Sequence, residues 1–190
     1  MKLVVFDFDG TIANLEVDWN SVKKELREHF VKKYSYESDF TPLYEELDRV
    51  TSALGLQARR SAIRIIRRHE IQAARNPRSL PGMIELIKDL RSRGITLAIL
   101  SSTSRRAVLR SIRELGILNS FKCVVALDDV TRCKPDPEGL NKITLRWGID
   151  KSETLLIGDK PSDLEVGKKA GVRVALQAEL ADISELSFDF

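Results

Sequence analysis

Five short apolar runs narrow the folding options of this chain: Leu3-Val4-Val5-Phe6, Ile95-Thr96-Leu97-Ala98-Ile99-Leu100, Cys123-Val124-Val125-Ala126, Thr154-Leu155-Leu156-Ile157 and Val172-Arg173-Val174-Ala175-Leu176. Each is too short for a helix and apolar on successive residues, the pattern of a strand covered on both faces. Helix-period segments at roughly 82–93, 104–115, 137–147 and 162–170 separate the later runs. Pro81 stands ahead of the first of these, and Gly94, Gly116, Gly148 and Gly171 close the four, as helix starts and stops require. Strands alternating with helices predict an α/β fold, a parallel sheet sandwiched between helices. Ligands of such sheets gather at the carboxyl ends of the strands, so polar residues directly after an apolar run carry the most information.

Residues 14–80 break the alternation. They hold no strand-like run but show helical periodicity in Val22, Leu26 and Phe30, in Leu43, Leu47, Val50 and Leu54, and in Ala62, Ile63 and Ile66. The expected organisation is therefore a core of residues 1–13 and 81–190 with a helical insert at 14–80. The full chain has 190 residues, of which 43% are hydrophobic and 31% charged, enough to build a core and a solvated surface. Its formal charge of +3 is too small an excess to imply nucleic-acid binding. The apolar stretch at the N-terminus ends at Asp7, too soon for a signal peptide, and no stretch reaches the ~20 apolar residues that span a bilayer. No membrane association is expected, and a cytoplasmic location is. Cys123 and Cys133 lack any CxxC or zinc-like grouping and read as reduced thiols.

Four polar segments follow apolar runs or precede helices. The first, Phe6-Asp7-Phe8-Asp9-Gly10-Thr11, ends a buried strand with a carboxylate, which is costly unless a metal or a hydrogen-bonding partner meets it. Gly10 permits a sharp turn and close backbone approach. The second, Ser101-Ser102-Thr103-Ser104, offers hydroxyls that helix capping would explain, and equally a strand-to-helix turn that presents N–H groups to an anion. In the third, Cys133-Lys134-Pro135-Asp136-Pro137, the lysine reads as simply solvated or, with the prolines holding its backbone extended, as an ammonium aimed as a point charge. The fourth is Gly158-Asp159-Lys160-Pro161-Ser162-Asp163. Asp163 suits a helix N-terminus, whereas Asp159 at a strand end suits Mg²⁺ with its preference for few carboxylates, waters and phosphate oxygens.

The ordered set resembles the haloacid dehalogenase-like superfamily, in particular its capped phosphatases, whose DxDGT, Ser/Thr, Lys-Pro and GDxxxD motifs match Asp7–Thr11, Ser101, Lys134 and Gly158–Asp163. Leu80-Pro81-Gly82-Met83 and Ala170-Gly171 also resemble the phosphoglycolate phosphatase-like branch. The resemblance implies a Rossmann-like core with an all-helical cap inserted after the first strand. It implies Asp7 as nucleophile and Asp9 as general acid and then base. Ser101, the Ser102 backbone N–H and Lys134 would hold phosphoryl oxygens. Asp7, the Asp9 carbonyl and Asp159 would bind Mg²⁺, with Asp163 mainly behind them. The implied activity is hydrolysis of a small-molecule phosphate ester, of phosphoglycolate or sugar phosphate type, through an aspartyl phosphate. A phosphomutase of the β-phosphoglucomutase type and a non-catalytic binding or regulatory protein are the alternatives. Two departures from the family pattern, Ile12-Ala13-Asn14-Leu15 and Lys160, bear on the rim of the site.

Within the insert the run Arg59, Arg60, Arg64, Arg67 and Arg68 stands out. At ~100° per residue Arg60, Arg64, Arg67 and Arg68 share one face opposite Ala62, Ile63 and Ile66, as a solvated face or as a surface for polyanions. His29, His69, Trp19, Trp147 and the terminal Phe188-Asp189-Phe190 are expected to serve packing or surface rather than chemistry.

Overall fold

The computed structural model describes residues 1–179, so the Phe188-Asp189-Phe190 segment lies outside the described residues. Five parallel strands form one sheet: β1 Leu3–Phe6, β4 Thr96–Leu100, β5 Cys123–Val125, β6 Thr154–Gly158 and β7 Arg173–Leu176, in the spatial order β5-β4-β1-β6-β7. β1 is central, paired with β4 from Leu3↔Thr96 to Phe6↔Ile99 and with β6 from Leu3↔Thr154 to Phe6↔Ile157. All four β1 residues are buried, which is why the run is apolar on consecutive positions.

Alternate strand residues face opposite layers. Val4 and Phe6 pack with Ile87 and Leu90 of α3 (Met83–Ser92) and with Val108 and Ile112 of α4 (Arg105–Glu114). Leu3 and Val5 pack with Leu140 and Ile143 of α5 (Glu138–Trp147) and with Val166 of α6 (Pro161–Ala170). Both faces are thereby covered, as a parallel sheet requires.

The segment after β1 leaves the sheet through a short antiparallel ribbon, β2 Ala13–Asn14 with β3 Arg78–Ser79, in register Ala13↔Ser79 and Asn14↔Arg78. The periodicity of 14–80 gave no sign of this ribbon, because two-residue strands are too short to carry a period. Between its strands stand α1 Trp19–Tyr34 and α2 Leu43–Ala73. Asp18 caps α1 by accepting the Ser21 N–H at 3.1 Å. α2 is interrupted at Gly55, whose φ of 81° and ψ of 178° break the helix and suit a residue without Cβ. Val22, Leu26, Phe30, Leu47, Val50, Ala62 and Ile66 close a separate apolar cluster that also takes in Leu127 and Cys133 from the sheet side. Each fully buried Leu or Phe contributes roughly 1.5–3 kcal/mol, so this cluster both folds the insert and seats it on the core.

The five arginines do not act as one feature. Arg59 is 2% exposed and sits inside the insert, while Arg60 and Arg64 are exposed. Arg67 pairs with Asp128 at 3.4 Å and Arg68 with Glu25. Arg59 is buried because it falls on the apolar side of α2. His29 Nε2 meets Ser61 Oγ at 3.2 Å and His69 Nε2 meets Glu25 Oε2 at 3.0 Å, both within the insert. Trp19 packs against the insert's apolar cluster, and Arg146 stands over the Trp147 ring. Cys123 and Cys133 are buried free thiols. Among the described residues no helix is long and apolar enough to cross a membrane.

Candidate active site

Loops from three adjacent strands and one neighbouring turn converge at the carboxyl edge of the sheet. The Asp7 N–H donates to the Ile157 carbonyl at 2.8 Å, so the ladder with β6 continues one residue past β1 and holds Asp7 rigidly. Behind it the chain turns sharply: the N–H groups of Ile12 and Ala13 both donate to the Phe8 carbonyl, at 2.9 and 3.1 Å. Gly10 has φ of 94°, and a Cβ there would lie 2.2 Å from Asp159 Oδ2. The glycine is required twice, for the backbone angle and for the space that Asp159 occupies. Thr11 Oγ1 donates to Asp159 Oδ1 at 3.1 Å and fixes the carboxylate from the side. The Ser101 N–H donates to the Val125 carbonyl at 2.9 Å, and Ser101 Oγ accepts the Thr103 N–H at 3.1 Å, leaving its own proton free to donate.

Lys134 completes the cluster. Its side chain is 8% exposed, with Nζ 2.7 Å from Asp163 Oδ1 and 2.9 Å from Asp7 Oδ1. Burial alone would favour the neutral amine, but the charges of Asp7 and Asp163 outweigh it and raise the Lys134 pKa above its ordinary value. Asp7 Oδ1, itself buried, faces the Lys134 ammonium as an ion pair. Asp163, fully buried, spends both oxygens internally, on Lys134 Nζ and on the Lys160 N–H at 3.2 Å.

Asp9 stands apart from that pair. Oδ1 accepts the Leu15 N–H at 2.9 Å. Burial raises the Asp9 pKa above the usual carboxylate value, against the lowering by the Leu15 N–H and by the Lys160 charge; Asp7 and Asp159 add repulsion. A carboxyl so placed holds a proton more readily than a solvated one, which suits a general acid.

The residue set fits a hard divalent cation. Asp7, Asp159 and Asp163 each offer a carboxylate oxygen within 4.8 Å of the others. The buried Asp7 carboxylate, paired with Lys134 through Oδ1, and the Asp159 carboxylate are hard oxygen donors of the kind Mg²⁺ takes. Asp163 has both oxygens engaged, so Asp7 and Asp159 are the carboxylates left with oxygens to offer a cation.

A cavity of about 320 Å³ opens over this cluster. Asp7, Asp9, Ser101, Ser102 and Lys134 line its floor, and Tyr44 and Glu45 of α2 line its roof. The structure thus brings Asp7, Asp9, Ser101, Ser102, Lys134, Asp159 and Asp163 together, as the order of the motifs predicted.

Three features escaped the sequence reading. Tyr44 reaches the cavity from the insert. Glu70, fully buried, accepts the Ser104 N–H at 2.9 Å and so ties α2 to the turn that carries Ser101–Thr103. Burial pushes its pKa up to about 7 against the lowering by Ser104, with Asp128 and Asp9 adding to the rise. A signal existed, since Glu70 lies four residues beyond Ile66 on the apolar side of the helix. Third, Asp48 accepts the Cys133 N–H at 3.1 Å and pairs with Arg59 at 3.0 Å, so the insert grips the residue next to Lys134. Nothing in the local pattern announces that contact.

Comparison with known proteins agrees with this geometry. The haloacid dehalogenase-like hydrolase family matches residues 4–177. Pyrophosphatase PpaX of Halalkalibacterium halodurans is 30% identical over 179 residues, covering 93% of this chain and 83% of that protein. The N-acetylmuramic acid 6-phosphate phosphatase of Pseudomonas aeruginosa is 27% identical over 190 residues, covering 92% and 80%. In fold, CbbY from Rhodobacter sphaeroides, solved in complex with phosphate, superposes with a TM-score of 0.63 at 20% identity, over 93% of this chain and 85% of that one. The chain belongs to the haloacid dehalogenase-like hydrolase family, as one of its phosphatases.

Proposed function

We propose that the protein is a Mg²⁺-dependent phosphatase that cleaves a small phosphate compound through a phosphoryl group carried on Asp7. The convergence of Asp7, Asp159 and Asp163 within 4.8 Å of one another, with buried Lys134 paired to Asp7 and Asp163, is the observation that carries this reading.

In the proposed cycle an Asp7 carboxylate oxygen attacks phosphorus in line with the leaving oxygen. The P–O bond to the leaving group breaks as Asp9 gives that oxygen its proton. A water molecule then returns a proton to Asp9 and attacks the phosphoryl group, breaking the P–O bond to Asp7 and releasing phosphate. Lys134, held by Asp163, and the free Ser101 hydroxyl proton face the equatorial phosphoryl oxygens, assisted by the Ser102 N–H. Being fixed before substrate arrives, these groups need no reorganisation at the transition state. Mg²⁺, held by Asp7, Asp159 and the Asp9 carbonyl with Asp163 behind, would supply charge neutralisation that lets an anionic nucleophile meet an anionic substrate.

The substrate reading rests on the small cavity and the relatives. About 320 Å³ lies near the lower end of ligand pockets, roughly 300–1,000 Å³, and favours a compact leaving group. One relative is named for pyrophosphate and the other for a sugar phosphate, so the phosphoryl-binding floor is the shared element. The helices at 19–73 act in this reading as a cap, with Tyr44 and Glu45 meeting the leaving group. A soluble enzyme acting in the cytoplasm fits such substrates.

The test is phosphate release from pyrophosphate, phosphoglycolate and sugar phosphates, with and without MgCl₂, by the wild type and Asp7→Asn. We expect Mg²⁺-dependent release, and a loss of about three orders of magnitude or more in the variant. An equally active Asp7→Asn protein would rule out the covalent route. Sugar phosphate isomerised without phosphate release would favour a mutase, and inertness toward the whole panel a binding role.

A further inference from the structure

Lys160 stands where the proposed cation would need to bind. It precedes α6, its backbone held by its N–H bond to Asp163 Oδ2. From there the side chain crosses to the turn after β1, where Nζ donates to the Asp9 carbonyl at 2.8 Å and lies 3.8 Å from Asp159 Oδ2. The first of these oxygens is a main-chain ligand assigned above, and the second belongs to a ligating carboxylate. The Lys160 ammonium therefore engages two of the acceptors that a dication would use.

We propose that Lys160 is a built-in placeholder cation, which neutralises the carboxylate cluster when the metal is absent and must leave before Mg²⁺ can bind. The inference rests on the metal reading made above and deepens it.

Three physical points carry it. The cluster of Asp7, Asp159 and Asp163 has three negative charges, and buried Lys134 balances only one of them. Without another cation the remainder would repel in a partly dehydrated site. The Lys160 side chain is 49% exposed, so it can swing into water without opening a void. Finally, a single ammonium is a weaker partner for a carboxylate pair than a dication, so exchange runs toward the metal at sufficient concentration. Such a device lowers metal affinity and in return keeps the empty site electrically quiet.

The test uses the metal-stripped full chain. Calorimetric titration with MgCl₂ compares wild type with Lys160→Gln, which stays polar but lacks the charge. Reductive methylation followed by peptide mass spectrometry reads the accessibility of Lys160, with exposed Lys88 as the internal control. Removing the competing charge should tighten Mg²⁺ binding by about tenfold. MgCl₂ should raise Lys160 labelling several-fold in the wild type and leave Lys88 unmoved. Unchanged or weaker Mg²⁺ binding in the variant overturns the placeholder role, as does Lys160 labelling that stays flat or falls on adding MgCl₂. A raised KM with unchanged Mg²⁺ affinity would make Lys160 a substrate contact instead. If neither protein binds Mg²⁺, the metal reading itself fails, an outcome distinct from the others.

Discussion

Lys134 and Arg59 are both buried cations, joined through Cys133, yet they belong to different kinds of site. Arg59, in the insert, is 3% exposed at its side chain and spends itself on Asp48 and on Cys133 Sγ at 3.3 Å. One cation meets one carboxylate, and that carboxylate's remaining demand is met by the Cys133 N–H. Lys134, at the sheet edge, faces two carboxylates, Asp7 at 2.9 Å and Asp163 at 2.7 Å. The first arrangement sets one charge against one, although Arg59 Nε is left without a partner; the second sets one ammonium against two carboxylates. Burial of a charge therefore does not mark chemistry by itself. Imbalance at the end of a strand does, because such a site is completed only by something that binds.

The largest test of this contrast removes Lys134. Lys134→Met should lower kcat/KM for phosphate release by about three orders of magnitude, in the range of a lost transition-state charge contact. A loss under tenfold would place Lys134 with Arg59 as a structural cation. Next comes Glu70, the buried carboxylate of the insert. Its pKa, about 7 in the folded protein, lies above its ordinary value of 4.5. Its favourable contribution is thus fully present below about pH 4.5 and lost as pH rises through about 7, a swing of about 3 kcal/mol. Glu70→Gln keeps an acceptor for the Ser104 N–H and carries no charge. Urea denaturation should find it more stable than wild type by up to that amount at pH 8.5, with a small difference at pH 4.5. Parallel stability profiles would show that Glu70 is not the group responsible. The smallest effect belongs to Arg59. Arg59→Met should cost about 2 kcal/mol, below the usual penalty for a broken buried pair because Asp48 is one-third exposed. Measured below its melting transition, kcat/KM should fall less than tenfold. An unchanged melting temperature with a hundredfold loss of activity would erase the distinction between the two cations.

The motif residues were legible as an ordered set resembling the family, since local pattern alone left each open to a plainer reading. Asp7 follows a β-branched run, Gly10 permits a turn, and Lys134 stands before a proline. The helices of the insert were legible too, since Val22, Leu26 and Phe30 repeat at helical spacing and are fully buried. Glu70 was passed over although its position was readable, because a glutamate in a helix is ordinarily solvated and only the packing of α4 against α2 buries it. The face of Arg60, Arg64, Arg67 and Arg68 was legible as well, but not the partners that its members and Arg59 take. Arg59, Arg67 and Arg68 look alike in sequence, and their differing fates depend on Asp48, Asp128 and Glu25, which lie 11, 61 and 43 residues away.

From the sequence alone came the parallel α/β sheet, the inserted helices and the residues that gather at the strand ends. These depend on periodicity and turn chemistry, which act over a few residues and need no knowledge of what lies across the fold. The tertiary structure decided the rest: that Asp163 is consumed by Lys134, that Asp48 grips the Cys133 N–H, and that Lys160 reaches the Asp9 carbonyl 151 residues away. Ion pairing and hydrogen bonding are settled at about 3 Å, and only the packed sheet brings distant loops to that separation.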